Sequence, residues 1–67
     1  MNNRIKVARA ELRMTQQQLA EAAGVSRQTI NAIESGKFVP STVLSLKMAR
    51  IFKCHVEELF QLDENEL

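Results

Sequence analysis

Thr15-Gln16-Gln17-Gln18-Leu19-Ala20-Glu21-Ala22-Ala23-Gly24-Val25-Ser26-Arg27-Gln28-Thr29-Ile30-Asn31-Ala32-Ile33-Glu34-Ser35-Gly36 holds two helix starts and two helix stops in one short run. Thr15 is a good N-cap, and Gln18 three residues on completes a capping box, in which each side chain serves a backbone N–H of the other. Met14 before the cap and Leu19 inside the helix can close a hydrophobic staple. Leu19, Ala20 and Ala23 then point inward. Gly24 ends this helix, because glycine adopts positive φ without a Cβ clash. Ser26 caps the next helix, with Val25 and Ile30 in the staple positions. Ile30 and Ile33 form its buried edge, and Gly36 stops it. Only Gly24, Val25 and Ser26 separate the two helices. So tight a glycine turn is the geometry of a helix-turn-helix, which holds its second helix clear of the body.

Working outward, Ile5, Ala8 and Leu12 mark one face of a first helix over about 4–12. Pro40 biases Val39 to extended geometry and forbids helix across it. Ser41 caps a fourth helix reaching about Phe52, and a short fifth covers roughly Val56 to Phe60. Residues 63–67 are expected to fray. Helix formers dominate and β-branched runs are absent, so the expected fold is all-α with five helices. The 67 residues make one domain, 1–67, with a core over about 4–60 and an acidic tail at 61–67. The single cysteine, Cys54, allows no internal disulfide and fits a reducing cytoplasm. Neither a signal peptide nor a bilayer-spanning run is read, so a cytoplasmic protein is expected.

Net charge is only +1, but its distribution is uneven. Residues 1–54 carry all nine Lys and Arg against Glu11, Glu21 and Glu34, for +6, whereas residues 55–67 carry five acids and no Lys or Arg, for −5. A basic body with an acidic end suits a surface that meets phosphate, although solvated charges can also fall unevenly. On a helical wheel, the side of the third helix opposite Ile30 and Ile33 carries Arg27, Gln28, Asn31, Ala32 and Ser35. Arg27 and Gln28 lie in its first turn, the end that reaches base edges in a helix-turn-helix. Arg can donate two bonds to guanine, Gln or Asn can pair with adenine, and the Ala32 methyl can meet a thymine methyl. An ordinary solvated polar face would have the same composition.

The run from Thr15 to Ala20, then Gly24-Val25-Ser26, Ile30, Ile33-Glu34-Ser35-Gly36-Lys37 and Pro40-Ser41, resembles the Cro/C1-type (Xre) family of helix-turn-helix regulators. The likeness extends from about Arg4 to Phe60. It implies a lambda-repressor-like five-helix fold whose second and third helices form the DNA-binding unit. It also implies base reading by Arg27, Gln28 and Asn31, and phosphate contact by Gln16, which would also brace the third helix, with Lys37 near the DNA backbone. Thr29, at the margin of the exposed face, would take a phosphate. The helix N-termini at Gln16 and Thr42 would offer backbone N–H groups to phosphate oxygens.

Arg9 and Glu34 lie partly inward on their helices, where an unpaired charge is costly, so the two are expected to pair. The family commonly has this pair, which assigns Arg9 to structure. Where the family has a small residue, often Gly or Asn, and then an apolar one, this chain has Lys53 and Cys54; Cys54 is expected to act as a small buried hydrophobe. His55 stands where a Ser-like cap is usual, which puts that cap in doubt. Cys54 and His55 are too few for a structural metal site, and adjacent residues seldom form a catalytic dyad. No catalytic residue, cofactor or metal is expected.

Helix four carries an apolar arc of about 220°, wider than the roughly 100° that facing a core requires. Either it is covered on both sides, or Leu44, Met48, Ile51, Leu59, Phe60 and Leu62 meet a second copy; a homodimer is the expectation. The sequence thus reads as a sequence-specific regulator, a repressor without catalysis, bound to an inverted-repeat operator on double-stranded DNA. An antitoxin that binds a protein toxin and its own operator is the alternative. A helical interaction module that has lost DNA binding is a third reading.

Overall fold

Side-chain caps set where three helices of the computed structural model, which describes residues 1–67, begin. Helix α1 is Ile5–Glu11, α2 Gln16–Ala23, α3 Arg27–Glu34, α4 Thr42–Ile51 and α5 Val56–Leu59. At the start of α2 the Gln18 N–H donates to Thr15 Oγ1 at 3.0 Å, and Gln18 Oε1 accepts from the Thr15 N–H at 2.9 Å. Ser26 and Ser41 cap α3 and α4 by accepting from Thr29 and Leu44, each at 3.1 Å. His55 precedes α5 without a side-chain cap bond.

The first four helices are each followed by a left-handed residue. Gly24, at φ 75°, closes α2, where the Val25 N–H reaches back to the Ala20 carbonyl at 3.0 Å. Gly36, at φ 80°, follows α3. The corresponding corners after α1 and α4 use Arg13 at φ 52° and Lys53 at φ 55°, which lack glycine's ease there. Both corners have the same closing bond, Met14 N–H to Arg9 O at 2.9 Å and Cys54 N–H to Ala49 O at 3.0 Å.

The inward faces meet in one core of Ile5, Leu19, Ala20, Ala23, Ile30, Ile33, Leu44, Met48, Ala49 and Leu59. Each large aliphatic side chain there contributes about 1.5–3 kcal/mol relative to exposure. α2 packs on α3 and on α4, and α4 on α5, so α4 is covered by two neighbours. Met14, Val25 and Cys54 pack against the core while half-buried. Leu12, placed on the inner stripe of α1 by its spacing, is exposed, because α1 ends at Glu11 and the chain turns away.

Two features depart from the helical reading. Asn2–Asn3 (β1) and Phe60–Gln61 (β2) form an antiparallel ladder, Asn2 opposite Gln61 and Asn3 opposite Phe60, extended by Arg4 N–H to Leu59 O at 2.8 Å. Residues 63–67, expected to fray, instead contain a capped 3₁₀ turn at Glu64–Glu66. The Met1 ammonium lies 2.9 Å from both Asp63 and Glu66.

The expected dimer contacts also need correction. Leu44, Met48 and Leu59 are buried in the core of the single chain and present no surface to a partner. A wheel shows which side of a helix is apolar but not what covers it. Of the six, Ile51 and Phe60 are half-buried and Leu62 is exposed. Val43 and Leu46, on α4, are the other exposed apolar side chains of that region.

Candidate nucleic-acid interface

The short glycine turn fixes α3 against α2, and burial of Ile30 and Ile33 fixes its rotation. Rotation decides which side chains remain outside. Arg27 and Gln28, the first two residues of α3, are exposed, as are Asn31 and Ser35; Ala32 is half-buried. Thr29 is half-buried, and its hydroxyl shares a 3.0 Å hydrogen bond with Ser26 Oγ. Lys37 is exposed just beyond α3, with its backbone N–H fixed to the Ala32 carbonyl at 2.9 Å. Thr42 is the exposed first residue of α4. Of the nine Lys and Arg, only Arg9 is in an ion pair, which leaves Arg27 and Lys37 free to meet an anion.

A polar cluster braces this surface from behind. Arg9 Nε donates to Glu34 Oε2 at 2.6 Å and Arg9 Nη2 to Glu34 Oε1 at 3.2 Å, a two-pronged contact joining α1 to the end of α3. Arg9 Nη1 also donates to the Met14 carbonyl at 2.8 Å. Gln16, first residue of α2 and half-buried, donates through Nε2 to Glu34 Oε1 at 3.2 Å. One carboxylate therefore ties together α1, the start of α2 and the end of α3. Burial pushes the Glu34 carboxyl up. The hydrogen bonds from Arg9 and Gln16, with the charges of Arg9 and Lys6, outweigh it and hold the group below the ordinary glutamate value.

Sequence reasoning missed one member of this frame, Asn3. The Gln16–Glu34 bond fits the bracing of the third helix that the family resemblance implies for Gln16, although no spacing rule finds it. Asn3 donates through Nδ2 to the Ile33 carbonyl at 2.8 Å and accepts from the Ile5 N–H at 3.2 Å, linking the end of α3 to the start of α1. Nothing around Asn3 in the sequence signals that role.

A family model described as Helix-turn-helix matches residues 5–59. This chain belongs to the Cro/C1-type helix-turn-helix family. Over 67 residues it is 48% identical to an uncharacterised HTH-type transcriptional regulator of Archaeoglobus fulgidus, covering 100% of this chain and 94% of that protein. It is 44% identical over 64 residues to the uncharacterised HTH-type transcriptional regulator YgzD of Bacillus subtilis, covering 96% and 97%. Among solved structures, the restriction-modification controller protein C.AhdI of Aeromonas hydrophila superimposes with a TM-score of 0.78 at 30% identity, covering 85% of this chain and 86% of that one. No helix is long and apolar enough to cross a membrane.

Proposed function

We propose that the protein is a DNA-binding transcriptional regulator that lays α3 in the major groove. The observation that carries this reading is the exposed face of Arg27, Gln28 and Asn31 on a helix whose opposite face is locked in the core. In this reading Arg27, Gln28 and Asn31 read bases. Gln16, Thr29, Lys37 and the N-terminus of α4 at Thr42 meet the phosphate backbone and set register. Arg9 and Glu34 hold the two helices at the angle that this docking requires. Its action is binding rather than catalysis, and its place is with DNA in the cytoplasm. The antitoxin alternative finds no support in the relatives.

Geometry favours two copies acting together. The chain measures 32 × 22 × 20 Å. Recognition helices that read two half-sites lie about 34 Å apart, so an inverted-repeat operator takes two subunits. A C2 homodimer supplies that arrangement, with Ile51, Phe60 and Leu62 as its remaining candidate contacts; a monomeric mass by light scattering at micromolar concentration would reject it.

Selection of bound sequences from a random duplex pool tests the main reading, with recovery of a defined half-site as the expected result. On that site, Lys37→Ala should weaken matched and unmatched duplexes alike and reduce the slope of log K against log salt by about 0.9. Enrichment of no sequence, with binding insensitive to salt, would overturn the assignment.

A further inference from the structure

Among the cationic side chains outside the face already described, Arg13 occupies a position that favours a different residue. Its φ of 52° lies in the left-handed region where glycine is unstrained. It is exposed and forms no ion pair that would account for an arginine there. Its location is well defined. The Arg13 N–H is bonded to the Ala10 carbonyl at 3.1 Å, and the next residue, Met14, bonds Arg9 through both its N–H and its carbonyl. The same Arg9 guanidinium holds Glu34, which holds the Gln16 side chain. Arg13 thus stands on a rigid corner, one peptide from the cluster that orients Gln16. Gln16 follows three residues on, so the two Cα atoms lie at most about 11 Å apart.

We propose that Arg13 is a further DNA-backbone contact, clamping a phosphate adjacent to the one met at Gln16, and that arginine is kept at a left-handed corner for this purpose. The inference rests on the DNA-binding reading above. Lys53 provides the internal comparison. It has the same backbone conformation at the end of α4, beside Cys54 and His55 and outside the α2–α3 unit. Both positions gain stability from glycine, but only one should lose DNA affinity.

The experiment compares wild type, Arg13→Gly, Arg13→Lys and Lys53→Gly in the full chain, by thermal melting and by titration of a random-sequence duplex over a range of salt. Both glycine variants should melt higher than wild type. Arg13→Gly should bind several-fold more weakly at low salt, with the log–log salt slope reduced by about 0.9, so the deficit shrinks about threefold between roughly 50 and 200 mM. Arg13→Lys should keep most of the slope, and Lys53→Gly should bind as wild type does. An Arg13→Gly protein with wild-type affinity and slope overturns the Arg13 assignment while leaving the DNA-binding reading intact. A wild-type protein with no salt-dependent duplex binding overturns both.

Discussion

Arg9→Ala should destabilise the domain by about 3–5 kcal/mol, because it leaves Glu34 charged and without its main partner. The Glu34 side chain is only 7% exposed and that of Arg9 16%, so water cannot replace the lost contact. Domains of this size have roughly 0.05–0.15 kcal/mol of stability per residue, so the loss is a large part of the whole. The Met14 carbonyl loses its bond from Arg9 in the same step, whereas the Gln16 amide keeps its bond to Glu34. Urea and thermal melts read the effect directly, and midpoints equal to wild type would dismiss the pair as a structural element. A pH signature accompanies it. The Glu34 pKa is depressed in the folded chain, so its contribution is present above the unfolded glutamate pKa. That contribution is lost as pH falls through the folded value. Glu34→Gln should therefore flatten the acid limb of the stability profile. Replacing both partners with apolar residues of similar volume should recover part of the loss seen in the single variants.

Arg27→Ala should have the opposite profile, a large effect on DNA and little on the fold. Arg27 is exposed and outside every ion pair, so its removal uncovers no buried charge. A two-pronged arginine–guanine contact contributes about 1–3 kcal/mol of discrimination. The selected operator should thus bind about 5- to 150-fold more weakly, while preference at one base pair relaxes and the others persist. A titration against single-base-pair variants of the operator reads both. If every variant site keeps its wild-type affinity, the reading face has been assigned to the wrong side of α3. The contrast with Lys37→Ala is diagnostic, since a phosphate contact alters all sequences together.

The parts of this fold legible in the sequence are those encoded within a few residues. Thr15 with Gln18, Ser26, Ser41, Gly24 and Gly36 each act on the turn in which they stand, and the helix boundaries follow them. The exposed face of α3 was legible because Ile30 and Ile33 fix its rotation. Among contacts between distant segments, the Arg9–Glu34 pair was legible because both charges lie partly inward on their helices, but the terminal ladder was not. Asn2–Asn3 and Phe60–Gln61 are too short to show alternation, and their pairing joins opposite ends of the chain. The end of the first helix was legible from its apolar spacing, but the left-handed corner at Arg13 was not, because the glycine that would mark it is absent. Leu44 and Met48 looked surplus on a wheel, but α4 packs against both α2 and α5, and these two side chains are buried there.

The pairing of Asn2–Asn3 with Phe60–Gln61 bears on the order of assembly. Most of this molecule is built from neighbours in sequence, which favours rapid folding. The clasp joins residues nearly a full chain length apart, and closing a loop that long costs more entropy than any helix corner. It draws little return until α5 and α1 have docked. The ends therefore zip shut last and fray first, a slow clasp on a fast-folding body.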